Sequence, residues 1–174
     1  MWALAARLAA LPVLAVTLCS ALTAADKDKL NDLQARFDKE PSAVRKAKML
    51  VNLGDAQFEE AGRAQQASDF STLGLVMEKY RDNVRAATEA LKKEQPDGER
   101  HPGGYKQLEM HVQKGLREIG EFILEVPEPY KPPLELVQHD LLALDDQLIR
   151  SLFPRRPSHP PQPPHPPTDP EKKP

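Results

Sequence analysis

Between residues 26 and 153 apolar positions recur at alternating spacings of three and four, the period at which one side of an α-helix meets a core. The cleanest run is Leu73, Met77, Tyr80, Val84, Ala87 and Leu91. A heptad of this kind packs against neighbouring helices at a shallow angle, so a long helix is predicted from about Asp69 to Glu94. Tyr105, Leu108, Val112, Ile119, Ile123 and Val126 repeat the theme, and Leu134, Val137, Leu141, Leu144, Leu148 and Leu152 repeat it again. Nearer the N-terminus the stripe runs through Ala47, Leu50, Val51, Gly54, Phe58 and Ala61 before Gly62 weakens it, with Ser42 placed as the cap. Gly54 inside that stripe predicts close approach of a second helix. Leu30, Leu33 and Phe37 mark a shorter amphipathic helix over Asp26 to Glu40.

The punctuation agrees with this division. Pro41, the Ser68-Asp69 pair, Pro96 through Gly104 and Pro127 through Pro133 separate the periodic segments, and Gly103-Gly104 after His101-Pro102 reads as a helix-to-helix turn. Pro132 and Pro133 sit at the start of the last helix, where a missing backbone donor costs nothing. No segment reads as a strand. Short connections between long helices favour antiparallel neighbours. The predicted fold is all-α: an antiparallel bundle of four long helices with one short N-terminal helix packed on it.

Both ends depart from this pattern. Residues 1–25 carry Arg7, no acid, and an apolar run from Leu8 to Leu22 ahead of Thr23-Ala24-Ala25, the form of a secretory signal with a small-x-small cleavage site. Retention as an anchor would need about 20 apolar residues, and this run is shorter and broken by Pro12. Lipidation of Cys19 would want a small residue where Leu18 stands. Cleavage after Ala25 removes Cys19, the one cysteine of the chain, so the mature protein forms no disulfide and depends on core burial, as suits a bacterial periplasm-like setting. From Pro154 to Pro174, ten of 21 residues are proline, which excludes helix and central strand and predicts an extended or disordered tail. The expected organisation is a signal peptide over 1–25, a helical domain over 26–153 and a Pro-rich tail over 154–174, in a secreted or periplasmic protein that meets a membrane only through its signal before cleavage.

Charge narrows the function classes. The chain carries 24 basic and 26 acidic side chains. Removing the signal and the tail, with its Arg155, Arg156, Lys172, Lys173, Asp169 and Glu171, leaves an acidic helical part, which argues against nucleic acid as a partner. Metal-binding bundles converge carboxylates and Glu-x-x-His pairs from facing helices. Here Glu109-Met110-His111 has the wrong spacing, and Glu135 with His139 offers two ligands on one helix face, a side-chain pair on an exposed face. His159 and His165 lie in the tail, without fixed geometry for a metal. Haem has no Cys-x-x-Cys-His, and His111 with Met110 or Met77 has no supporting motif; the methionines read as core. Motifs for serine or zinc hydrolysis are missing too. Glu59-Glu60 and Asp145-Asp146 read as solvated faces. No catalytic, cofactor-binding or metal site is assigned.

Leu53-Gly54-Asp55-Ala56-Gln57-Phe58 followed by Ser68-Asp69-Phe70 resembles the helix, turn and helix of one tetratricopeptide-type hairpin, without a second copy at about 34 residues. The order of signal, Leu-Gly-Asp-Ala-x-Phe helix, Lys-Tyr-Arg-Asp helix, Leu-Glu-x-His helix and terminal Leu-Phe resembles secreted bacterial helical proteins of unassigned function, a resemblance that implies no site. The functional expectation is an exported, non-enzymatic interaction or scaffold protein with an unknown protein partner. The alternative is a metal- or small-ligand-carrying bundle. Self-association through the face from Leu73 to Leu91, and docking of the tail through its Pro-x-x-Pro arrangements, are further expectations.

Overall fold

The structure, a computed structural model, describes residues 27–154. The expected signal peptide, and the tail beyond Pro154, lie outside the described residues. Within them the chain is all-helical: α1 (27–39), α2 (Ala43–Gln66), α3 (Phe70–Glu94), α4 (Pro102–Glu125), a 3₁₀ turn (Glu128–Tyr130) and α5 (Lys131–Leu152). None of these helices is long and apolar enough to cross a membrane.

Local chemistry fixes most ends. The Ser42 hydroxyl caps α2 by accepting from the Arg45 amide at 3.5 Å. Asp69 caps α3 more tightly, accepting from the Thr72 hydroxyl at 2.6 Å and the Thr72 amide at 3.0 Å, and these bonds hold its carboxyl below the usual range. Between the two helices Ser68 takes a positive φ of 59°, and its amide and that of Asp69 fold back onto Gln65 and Ala64 carbonyls, closing α2. Pro102 stands in the first turn of α4 and Pro132 and Pro133 in that of α5.

One of two glycine expectations is corrected. α2 runs straight through Gly62, around which a Cβ would meet nothing within 4 Å, so the residue costs helix propensity but no packing. Gly103 and Gly104 belong to α4 and not to a turn, because Pro102 starts the helix and the connection is spent over 95–101. A Cβ on Gly104 would lie 2.7 Å from the Leu91 side chain, so this glycine lets α4 approach α3.

The core collects the predicted stripes. All six residues of the α3 stripe and all six of the α5 stripe are buried; Val51 on α2 and Ile123 on α4 are half-buried, and Leu53 joins the α2 face. The stripe from Leu73 to Leu91 is buried within the chain itself. α2 packs against α3 and α4, α5 packs against α4 and α3, and α3 also touches α4, whereas α2 and α5 make no close approach among the described residues. From α1, Phe37 enters the core under Lys46, whose ammonium lies 4.9 Å from the ring centroid, and Gln34 exchanges two hydrogen bonds with Asn83 of α3.

The paired acids are not both solvated as expected. Adjacent residues on a helix point about 100° apart, so Glu59 and Asp146 face water while Glu60 and Asp145 turn into the protein. Glu60 is held by Arg63 at 2.7 Å. Asp145 accepts from the Gln113 amide at 2.7 Å through Oδ2, while its buried Oδ1 has no partner among the described residues. Burial pushes the Asp145 carboxyl up against the opposing bond from Gln113, with Asp146 adding to the rise. A carboxyl raised in the folded state is protonated more readily there than in the unfolded chain, so its contribution to stability falls as pH rises from the unfolded value of 3.8. Asp145→Asn keeps an acceptor for Gln113 without the charge. Urea denaturation is expected to show it more stable than the wild type by about 1 kcal/mol at pH 7, with the difference shrinking toward pH 4.

Candidate functional site

Where α2, α3 and α4 meet, two glycines make room for two polar rings. A Cβ on Gly54 would lie 2.3 Å from Cε1 of His111, and one on Gly115 would lie 2.6 Å from the ring and the hydroxyl of Tyr80. The close approach predicted at Gly54 is therefore real, and Gly115 provides its counterpart on α4. Phe58 closes the niche, stacked on His111 with 5.6 Å between ring centroids and edge-on to Tyr80 at 4.7 Å.

A chain of hydrogen bonds runs through this niche. The Tyr80 hydroxyl lies 3.0 Å from His111 Nδ1 and 3.0 Å from the His111 carbonyl oxygen. His111 Nε2 lies 3.2 Å from Asp55 Oδ1, which also accepts from Lys114 Nζ at 2.8 Å. Charge assigns the protons. An ionised carboxylate has no hydrogen to offer, so a neutral His111 carries its proton on Nε2 and Tyr80 donates to Nδ1. When the ring gains a second proton, Nδ1–H donates to the Tyr80 oxygen and the hydroxyl hydrogen turns to the carbonyl. Both states leave every group partnered.

The electrostatics follow from depth. Burial lowers the His111 pKa, against the bond and charge of Asp55, which raise it. Burial alone would raise the Asp55 carboxyl, but the bonds from Lys114 and His111 outweigh it, so Asp55 titrates below its ordinary value. Burial, reinforced by the Asp55 charge, pushes the Tyr80 hydroxyl far above its ordinary range. Tyr80 is wholly enclosed and cannot meet a substrate; only Asp55, Lys114 and one edge of His111 reach a surface. That surface is an open groove of about 540 Å³ between α2 and α4, with Val51 and Met110 as its apolar walls and Lys106 on its rim.

The residues weighed from sequence are distributed as follows. His111 is buried with both ring nitrogens engaged, so ligation by it would break an existing bond. Met77 is core, as expected, but Met110 is 69% exposed and forms a groove wall instead. Glu135 and His139 are both exposed, and the contact of His139 is with Asp140 at 3.9 Å. Among the described residues no three His, Cys, Asp or Glu side chains come together around a metal-sized space. His159 and His165 lie outside the described residues. From sequence Tyr80 reads only as core and Asp55 only as part of the hairpin resemblance, while Lys114 and Gly115 carry no signal of their own. The available signal was Tyr80 on a core stripe and His111 three residues after Leu108, with Gly54 on a facing helix to admit a ring.

Two outcomes test the niche. Gly115→Ala is expected to destabilise by about 2–3 kcal/mol in thermal denaturation, since Tyr80 cannot move without leaving its partners, whereas Gly74→Ala, where a Cβ meets nothing within 4 Å, is expected to be neutral or slightly stabilising. In an NMR titration His111 is expected to protonate below the ordinary histidine value, and Asp55→Asn to lower its midpoint further by removing the opposing charge. Because the unfolded chain takes up that proton first, His111 contributes stability above its unfolded value of 6.5 that is lost as pH falls through the interval below it.

No protein-family model matches the chain, and neither a curated protein nor a solved structure does.

Proposed function

We propose that this is an exported, non-enzymatic interaction protein that receives a partner protein in the groove between α2 and α4. The observation that carries this reading is the Asp55–His111–Tyr80 chain, which runs from the floor of the groove inward to a wholly buried hydroxyl. It ties three helices together and so makes the groove walls rigid before any partner arrives, which lowers the ordering cost of binding. The tight enclosure of Tyr80 favours a structural role for the cluster over a chemical one.

The proposed arrangement is two antiparallel helical hairpins, α2/α3 and α4/α5, laid side by side in the same sense, with α1 against α3. The Ala43 amide at the start of α2 donates to Glu94 at the end of α3 at 2.6 Å, and Gln113 meets Asp145 where α4 and α5 run oppositely. α2 and α4 run together: Gly104 lies near Val44 at their starts, and Gln65 bonds Glu125 at their ends. α3 and α5 do likewise through Arg85–Asp140 and Lys92–Gln147. Stacked hairpins expose the first helix of each pair as a shared surface, which is how solenoid repeats present binding faces. The resemblance of Leu53–Phe58 to a tetratricopeptide-type helix supports the same reading.

A small ligand is the second reading, favoured by the groove's volume of about 540 Å³ with Asp55, His111 and Lys114 converging at its floor. Native mass spectrometry of protein purified without a histidine tag separates the two. The partner reading is tested by affinity capture from envelope extracts, using protein expressed with its own N-terminal segment and checked by N-terminal sequencing for a start at Asp26. Met110→Asp is expected to lose the captured partner and Leu75→Asp, on an exposed site of α3, to keep it. Equal capture by both variants, or a bound small molecule at stoichiometric amount, would overturn this reading.

A further inference from the structure

We infer that α5 carries a second interface, distinct from the groove, through which two copies of this chain associate about a two-fold axis. The helix is apolar on two sides. One side, Leu134 to Leu152, is spent in the core. On another, Leu142, Ile149 and Phe153 follow at intervals of seven and four, a single stripe on a helix of 3.6 residues per turn. They are 54%, 38% and 69% exposed. A hollow of about 600 Å³ opens beside them, walled by Ile149, Phe153 and the Asp146 and Arg150 side chains.

None of the described elements covers this stripe. α3 takes the flank of α5 that carries Asp140 and Gln147, and α4 takes the flank that carries Asp145, leaving Leu142, Ile149 and Phe153 turned away from α3. Its charges identify the occupant. Asp146 and Arg150 stand one turn apart beside the apolar line and pair with each other within the chain. When two copies of α5 lie antiparallel so that Leu142 faces Phe153 of the second copy, Asp146 falls within one residue of the level of Arg150 of that copy. The two Ile149 side chains then flank the axis. The stripe is thus complementary to itself, apolar to apolar and acid to base, which is the requirement of an isologous dimer. Opposed helix directions also set the two macrodipoles favourably. Since the Asp146–Arg150 pair already exists in each copy, exchange of partners leaves neither charge uncompensated.

The stripe from Leu142 to Phe153 spans roughly 16 Å of helix, less than the roughly 800 Å² per partner of a standard interface would need, so the association is weak and reversible, with a dissociation constant of about 10–100 μM. The test is sedimentation velocity on the protein purified after expression with its own N-terminal segment, from about 1 μM to several hundred micromolar. The wild type is expected to shift from monomer to dimer across that range. Ile149→Asp and Phe153→Asp, each on the exposed stripe and each checked for unchanged helicity, are expected to weaken association by at least about tenfold. Asp146→Arg, which sets two bases against the Arg150 of the second copy, is expected to weaken it as well, and Asp146→Arg combined with Arg150→Asp, which re-forms the pairing within and between copies, to restore it. A chain that stays monomeric throughout overturns the inference, as does a dimer indifferent to Ile149→Asp. A monomeric chain whose stripe crosslinks to its own residues 155–174 also overturns it, by assigning the surface to the C-terminal segment.

Discussion

The tyrosine hydroxyl shared between His111 Nδ1 and the His111 carbonyl is the constraint on which the helical body depends. A phenol with a single hydrogen sits 3.0 Å from two acceptors, wholly enclosed, and reaches them because Gly54 and Gly115 bring their helices closer than any side chain would permit. The glycines weaken α2 and α4 as isolated helices, and the approach they allow is what gives the buried hydroxyl and imidazole their partners. Removing either element would leave the other at a loss: the niche without its rings is a void, and the rings without the niche are buried polar groups with nothing to bond.

The same constraint explains why the polar groups of the first three long helices and those of α5 behave differently. At the α2–α3–α4 junction every buried polar atom has a partner, and protonation of His111 only redirects one hydroxyl. At the α4–α5 seam the buried side chains are mostly apolar, and the one buried carboxylate there, Asp145, has an oxygen without a partner among the described residues. Hydrophobic burial is tolerant of angle and register, whereas a hydrogen-bonded chain is not. The geometry of the groove between α2 and α4 is therefore specified more sharply than the placement of α5.

Helix spans were legible because local rules sufficed for most of them: the three-and-four spacing set the buried faces, Ser42 and Asp69 marked two starts, and Pro132 with Pro133 marked a third. Gly103-Gly104 misled because a glycine pair after proline is ordinary turn chemistry, and only the position of Leu91 on another helix shows why small residues stand there. Asp145 misled because adjacent acids on a helix diverge by 100°, and which of the two turns inward depends on where α4 lies. The Asp55–His111–Tyr80 cluster was illegible for a stronger reason. Its bonds join residues 56 and 31 positions apart on three helices, and no member signals the others: Asp55 stands in a helix resemblance, Tyr80 among core residues, and His111 beside no ligand partner in sequence. A site assembled by packing leaves no periodic trace.

Side-by-side helices that run in the same direction set their dipoles in mutual repulsion, and the proposed hairpin stack contains two such seams. Each is bridged by the same device. At α2–α4, Asp55 receives His111 and Lys114, three residues apart on the facing helix. At α3–α5, Asp140 receives Arg81 at 3.5 Å and Arg85 at 3.1 Å, four residues apart on the facing helix. One acid gripping two bases on successive turns resists sliding as well as separation, because any axial shift lengthens at least one of the two contacts. Exposed ion pairs contribute little singly; Asp55 differs because its imidazole partner is buried and continues inward to Tyr80. The α2–α4 seam is thereby fixed in register from its surface to its centre, and it is along this seam that the groove opens.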